Sequence, residues 1–278
     1  MLKHAKNGQL AMDGTTMDYV SFGEGDEALV ILPGLGDGLR TVRGMAVPLA
    51  AMYRRFGEKY RVYVFSRKNP LPRGCSTRDM AMDLRTAMEH LGIRRADLMG
   101  ISQGGMIAQH FAADFPELVG RLVLAATASQ PNPVLETAVS RWIGLAEEGR
   151  YRELMRDNAE LMYTEAYLRR HRLALAAAGR FGRPASFERF IGMAEGCLRH
   201  RCCDLLSLIR AETLVMGGEK GRVVGPGASR ELAAEIKGSR LVMYLQYGHA
   251  LYEEAADFQE TVLRFLGRET FPIPDGKR

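Results

Sequence analysis

ADLMGISQGGMIAQHFAADFP, residues 96–116, decides the fold. The short apolar run ADLM reads as a buried strand. GGMIAQHFAADF reads as a helix, and Pro116 ends it. Between them Gly100-Ile101-Ser102-Gln103-Gly104 must turn the chain sharply, and the two glycines leave room for strand and helix to approach. Such a turn aims the Ser102 hydroxyl out of the sheet at the strand's carboxyl end, where open α/β folds bind ligands. It also places the Gln103 amide at a helix N-terminus, facing any oxyanion formed there. No lysine follows where a phosphate-binding loop requires one.

The surrounding chain repeats this strand–helix rhythm. TMDYVSF (16–22), ALVIL (28–32), RVYVFS (61–66), RLVLAAT (121–127), ETLVMGG (212–218) and SRLVMYL (239–245) read as strands. A helix starts at Ser76, with Asp79 three residues on to complete a capping box, and Gly92 stops it. SRELAAEIKG (229–238) reads as another helix, and ALYEEAADFQETVLRFLG (250–267) as a single final one. Alternation of this kind predicts an α/β fold: a mostly parallel central sheet covered by helices on both faces. From Asn132-Pro133 to about Leu206 the strand signal disappears and only helix signals remain. The expected division is therefore a core of residues 1–133 and 207–278 with a helical cap inserted at 134–206.

Composition narrows the function. The 278 residues are 46% hydrophobic and 26% charged, as in a globular domain, and the net charge of +5 comes from arginines spread along the chain. There is no basic stripe with a recognition motif, so nucleic acid is not an expected partner. The clusters 169–172 (RRHR) and 199–201 (RHR) could steer an anionic substrate. No signal peptide and no bilayer-spanning apolar run is read. The four cysteines are too few, and two of them too close together, for a disulfide framework. His200-x-Cys202-Cys203 matches no familiar zinc spacing. A cytoplasmic protein without metal or organic cofactor is expected, acting on a small-molecule acyl substrate; a homo-oligomer is compatible with this reading.

A serine hydroxyl needs a base to become a nucleophile. Of the six histidines, His249 fits best: it lies in QYGHAL, after the strand 239–245 and before the last helix, again at the carboxyl edge of the sheet. His4, His90, His110, His171 and His200 fall in the tail or within helical segments, where a surface role is expected.

With GISQGG, ILPGLGDG, TLVMGGEKGRVV and QYGHALYEE in place, the sequence resembles the α/β-hydrolase family along nearly its whole length. The resemblance implies a serine hydrolase of small esters, thioesters or lactones, with Ser102 as nucleophile, His249 as general base and the backbone amides of Leu35 and Gln103 as oxyanion hole. It also implies a cap that shapes the substrate pocket, for which Trp142, Met162, Tyr163, Phe187 and Phe190 are candidates. Two other functions share this fold: a ligand-binding or sensor protein with vestigial turnover, and acyl transfer or C–C hydrolysis.

The sequence departs from the family pattern at three places. Pro33-Gly34 stands where His-Gly is usual, and SRKNPLPRG (66–74) replaces the usual Asp-x-Arg-Gly-x-Gly loop. Gly221 occupies the position at which the family places its acid. Three readings follow. Glu219 could orient His249 from two residues earlier. An acid could come from elsewhere, from Glu253 or Glu254 or from the 125–132 segment, which offers only Ser129 and Asn132. Or no carboxylate supports the base at all.

Overall fold

The computed structural model describes residues 4–12 and 14–267. Eight strands, β1 Lys6–Met12, β2 Thr15–Phe22, β3 Ala28–Leu32, β4 Arg61–Asn69, β5 Ala96–Ile101, β6 Val119–Ala125, β7 Glu212–Gly218 and β8 Arg240–Tyr244, form one sheet in the order β1-β2-β4-β3-β5-β6-β7-β8. β1, β2 and β4 pair antiparallel, and every pairing from β4 through β3 to β8 is parallel. β1 is an edge strand absent from the sequence expectations. Its residues Asn7, Gly8 and Gln9 are polar or small, and most of the strand is exposed, so it lacks a buried alternating pattern.

Helices α1 Ala46–Met52 and α2 Arg54–Gly57 follow β3, and α3 Thr77–His90 follows β4. α4 Gln103–Asp114 follows β5. Between β6 and β7 come α5 Pro133–Glu147, α6 Tyr151–Met162, α7 Glu165–Phe181 and α8 Glu188–Leu198, with no strand among them. α9 Gly225–Glu235, α10 Leu251–Glu254 and α11 Phe258–Leu266 complete the chain. The capping box at Ser76 forms: its hydroxyl accepts from the Asp79 amide while Asp79 accepts from the Ser76 amide. The expected single final helix is instead two. The backbone turns extended at Ala255, and Asp257 starts α11. Within the inserted segment α6 and α7 are separate helices, because Thr164 caps α7 through the Tyr167 amide.

Alternate residues of the parallel strands feed two cores, one on each side of the sheet. Val30, Leu32, Leu98, Leu122, Leu124 and Val215 pack with α3, α4, α9 and the inserted helices. Leu29, Ile31, Met99, Ile101, Val123 and Met216 pack with α2, α10 and α11 around Phe56 and Phe258. Full burial of one such side chain stabilises by roughly 1.5–3 kcal/mol, so both strand faces and their helical covers are strongly specified.

Two histidines expected at the surface are buried. His110 on α4 and His200 after α8 meet edge-on with ring centroids 5.1 Å apart, and His200 Nδ1 lies 2.9 Å from the Thr77 hydroxyl. Burial lowers the His110 pKa from the usual 6.5 to about 4, and that of His200 to about 3. Between those values and 6.5 the unfolded chain binds protons that the folded chain does not. Stability should therefore be complete above about pH 6.5 and fall as the pH drops toward 4, by about 1.4 kcal/mol per pH unit for each such histidine. Urea unfolding at pH 7 and pH 5 checks this; equal midpoints would contradict it.

Candidate active site

The turn after β5 has the predicted form. Ser102 sits at φ 52° and ψ −120°, a backbone region that side-chain-bearing residues rarely occupy. Surrounding bonds hold it there. The Ser102 amide donates to the Ala125 carbonyl at 2.9 Å, and the Ser102 carbonyl accepts from the Gly105 and Met106 amides. Glycine is required at the flanking positions by close approach: a Cβ on Gly104 would lie 2.0 Å from the Leu32 carbonyl oxygen, and one on Gly100 would lie 2.5 Å from that of Gly104.

The loop after β8 brings His249 to this serine. Its Nε2 lies 3.0 Å from Ser102 Oγ, although 147 positions separate the two residues. The Ala250 amide donates to the Met162 carbonyl at the end of α6, which fastens the histidine loop to the inserted helices. His249 is only 3% exposed. Burial alone pushes its pKa down from 6.5 to about 4, with no charged group opposing the shift. The imidazole is therefore neutral at pH 7 and able to accept the serine proton. The imidazolium that results is disfavoured by about 3 kcal/mol relative to an ordinary histidine.

Among the described residues no hydrogen-bond partner reaches His249 Nδ1. Glu219, Glu253, Glu254 and Asn132 are all engaged elsewhere. Glu219 pairs with Arg230 at 2.6 Å on the next helix, so the structure does not bring it to the imidazole. Glu253 accepts from the Tyr163 hydroxyl at 2.7 Å, and Glu254 accepts from the backbone amide and hydroxyl of Thr164. Asn132 caps α5 and donates to the Val224 carbonyl. Gly221 itself lies in a turn packed on the histidine loop, for the Lys220 amide donates to the Tyr247 carbonyl at 3.0 Å.

Leu35 opens a 3-10 turn (Leu35–Gly38) and Gln103 opens α4, so each backbone amide belongs to the set a helix start leaves without an intrahelical acceptor. The Gln103 side chain is fully buried and donates to the Met193 carbonyl at 2.6 Å, linking the serine turn to α8. A network that the sequence did not reveal fixes the Leu35 loop. Buried Asp37 accepts from the Ser66 hydroxyl at 2.6 Å, from the Arg67 amide at 2.9 Å and from the Arg189 guanidinium of α8. Arg67 in turn donates to the Pro33 carbonyl. This gives the start of the unusual 66–74 stretch a role: Ser66 and Arg67, within the carboxyl end of β4, clasp the candidate oxyanion turn. Asp37 stood in the sequence as an acid in an otherwise apolar, glycine-rich turn; its partner Arg189 is 152 positions away and left no local signal.

The five pocket candidates divide, with Tyr163 already placed on Glu253. Phe190 lies against the candidate oxyanion turn, its Cα 2.7 Å from where a Gly38 Cβ would stand, and Met162 supports the histidine loop. Trp142 is buried between α5 and α6, with its indole N–H donating to Asp157 at 2.9 Å. Phe187 packs near Tyr151, with ring centroids 6.2 Å apart, and under Arg183. Among the described residues no three His, Cys, Asp or Glu side chains gather as a metal site, and no helix is long and apolar enough to cross a membrane.

The sequence model described as alpha/beta hydrolase fold matches residues 27–256. The chain is 28% identical over 269 residues to the mouse (Mus musculus) protein named serine hydrolase BPHL, covering 93% of this chain and 85% of that protein. It is 25% identical over 258 residues to a 2-hydroxy-6-oxononadienedioate/2-hydroxy-6-oxononatrienedioate hydrolase of a Pseudomonas species, covering 88% and 90%. Among solved structures, the enol-lactonase from Burkholderia xenovorans LB400 superposes with a TM-score of 0.81 at 23% identity, covering 94% of this chain and all of that one. With the eight-stranded sheet and the serine turn already in view, the chain belongs to the α/β-hydrolase fold family and is a hydrolase of that class.

Proposed function

We propose that this protein hydrolyses small esters, thioesters or lactones through an acyl-enzyme on Ser102, using His249 as base without a protein carboxylate behind it. The observation that carries the reading is the 3.0 Å approach of His249 Nε2 to a serine held on a strained turn. Ser102 Oγ attacks the acyl carbon and its proton passes to Nε2. The amides of Leu35 and Gln103 receive the developing oxyanion, and the imidazolium protonates the leaving group. Water then attacks the acyl-enzyme, giving its proton to Nε2, and Ser102 recovers a proton as the acid departs. The inserted segment 134–206 serves as the cap: α8 bonds both the serine turn and the oxyanion turn, and α6 bonds the histidine loop. The names of the relatives, serine hydrolase and dienedioate hydrolase, support hydrolytic chemistry for the chain.

Rapid mixing with p-nitrophenyl acetate tests this. A burst of nitrophenol equal to the enzyme concentration, followed by slow turnover, is the expected trace. A second reading, a ligand-binding protein with vestigial turnover, draws on one observation, the unpartnered Nδ1 of His249. It predicts no burst and only vestigial turnover.

A further inference from the structure

We propose that the turn at Gly221, packed against the His249 loop, binds a small monocarboxylate of formate or acetate size that accepts from Nδ1 and acts as a diffusible partner for the base. The inference rests on the hydrolytic reading above and names a ligand for the same site.

The first ground is an unmet hydrogen bond. For Nε2 to accept from Ser102, the imidazole proton must sit on Nδ1. That N–H is buried, and among the described residues no acceptor reaches it. A buried donor without an acceptor costs about 1–3 kcal/mol, so an acceptor from solution is favoured there. Nδ1 is also the ring nitrogen nearer the backbone of its own loop, and the turn 218–221 is packed against that loop. A Cβ on Gly218 would lie 2.2 Å from the Gly248 carbonyl oxygen, and one on Gly248 would lie 3.2 Å from that of Lys220.

The second ground is a missing side chain. A Cβ on Gly221 would meet the Gly218 carbonyl oxygen tightly, at 3.1 Å, and the Gly225 carbonyl carbon at 3.8 Å. The atoms glycine lacks relative to aspartate are those of one acetate. The 3.1 Å contact falls on the methyl position, so formate, which has no methyl, fits with least adjustment.

The third ground is charge. Lys220 and Arg222 flank Gly221, and Glu219 of the same turn is paired with Arg230. Arg222 donates to the neutral Glu160 carbonyl and so keeps its positive charge uncompensated by that bond. An anion entering this turn meets a cationic surrounding. Once bound, it accepts the Nδ1–H bond and faces the imidazolium when the Ser102 proton arrives on Nε2. No proton need move to the carboxylate.

Sodium formate is the probe. Wild-type turnover of p-nitrophenyl acetate should rise about 10-fold along a saturating curve in formate, at ionic strength fixed with sodium chloride. Sodium pivalate, too bulky for a site one side chain in size, should do nothing. The Gly221→Asp variant, which carries its own carboxylate there, should show no formate response. Ser102-dependent turnover that is indifferent to formate, or raised equally by pivalate, overturns the inference and leaves the hydrolytic reading intact. If no Ser102-dependent turnover exists, the hydrolytic reading fails, and the site is then read from the His249 imidazole ¹⁵N signals. A saturable formate shift in wild type but not in Gly221→Asp supports the site; no shift overturns it.

Discussion

Replacing Ser102 by alanine should lower ester turnover about 10²-fold and abolish the burst, while leaving the fold intact. The size of this loss follows from the missing acid. In a serine protease with its triad complete, removing the serine costs about 2 × 10⁶ in turnover and removing the acid alone costs about 3 × 10⁴. A serine–histidine pair that already lacks its acid thus retains roughly the quotient, about 10², as the share that depends on the nucleophile. Alanine at position 102 carries a Cβ like serine and leaves the His249 pocket otherwise unchanged. Turnover unchanged in Ser102→Ala would place the chemistry elsewhere and defeat the proposed function.

Gly221→Asp should act in the opposite direction and raise turnover about 10²-fold, within a ceiling near 10⁴. About 3 kcal/mol of imidazolium penalty comes from burial without a compensating charge, and a carboxylate beside Nδ1 offsets most of it. The backbone dihedrals permit the change, since Gly221 is not in the left-handed region; its Cβ would lie 3.1 Å from the Gly218 carbonyl oxygen, which must give by a few tenths of an ångström. The pH profile should move with the rate. In wild type, His249 must be neutral to act, so kcat/KM should rise through about pH 4 and stay level toward neutrality. The added carboxylate raises the imidazole pKa and shifts that acid limb upward. In a Gly221→Asp, Ser102→Ala double variant the whole gain should vanish. A Gly221→Asp variant no faster than wild type would mean that the imidazole is already oriented and its charge already compensated.

Sequence reading succeeded where the signal was local or tied to chain order. The strand, the strained turn and the helix around Ser102 lie within twenty-one residues, and each glycine there answers a close approach visible in the structure. His249 was legible because its loop follows a strand whose carboxyl end faces the same rim as Ser102. The acid was legible only as an absence. Glu219 looked available, but Arg230, eleven residues on and folded back by α9, holds it. No periodicity reports that pairing. Likewise Trp142 looked like a pocket residue because it is large and apolar within the insert; the inserted helices need a core of their own, and Asp157 supplies the partner its indole requires. The clasp of Asp37, Arg67 and Arg189 joins three distant segments and could be found only in three dimensions.

The account turns on a buried base that no protein carboxylate assists, and titration of the His249 imidazole by ¹⁵N NMR in formate-free chloride buffer measures this directly. A pKa near 4, with Nδ1 protonated in the neutral form, is the predicted result. A pKa of 6.5 or higher would show a negative charge already facing the ring and would contradict it.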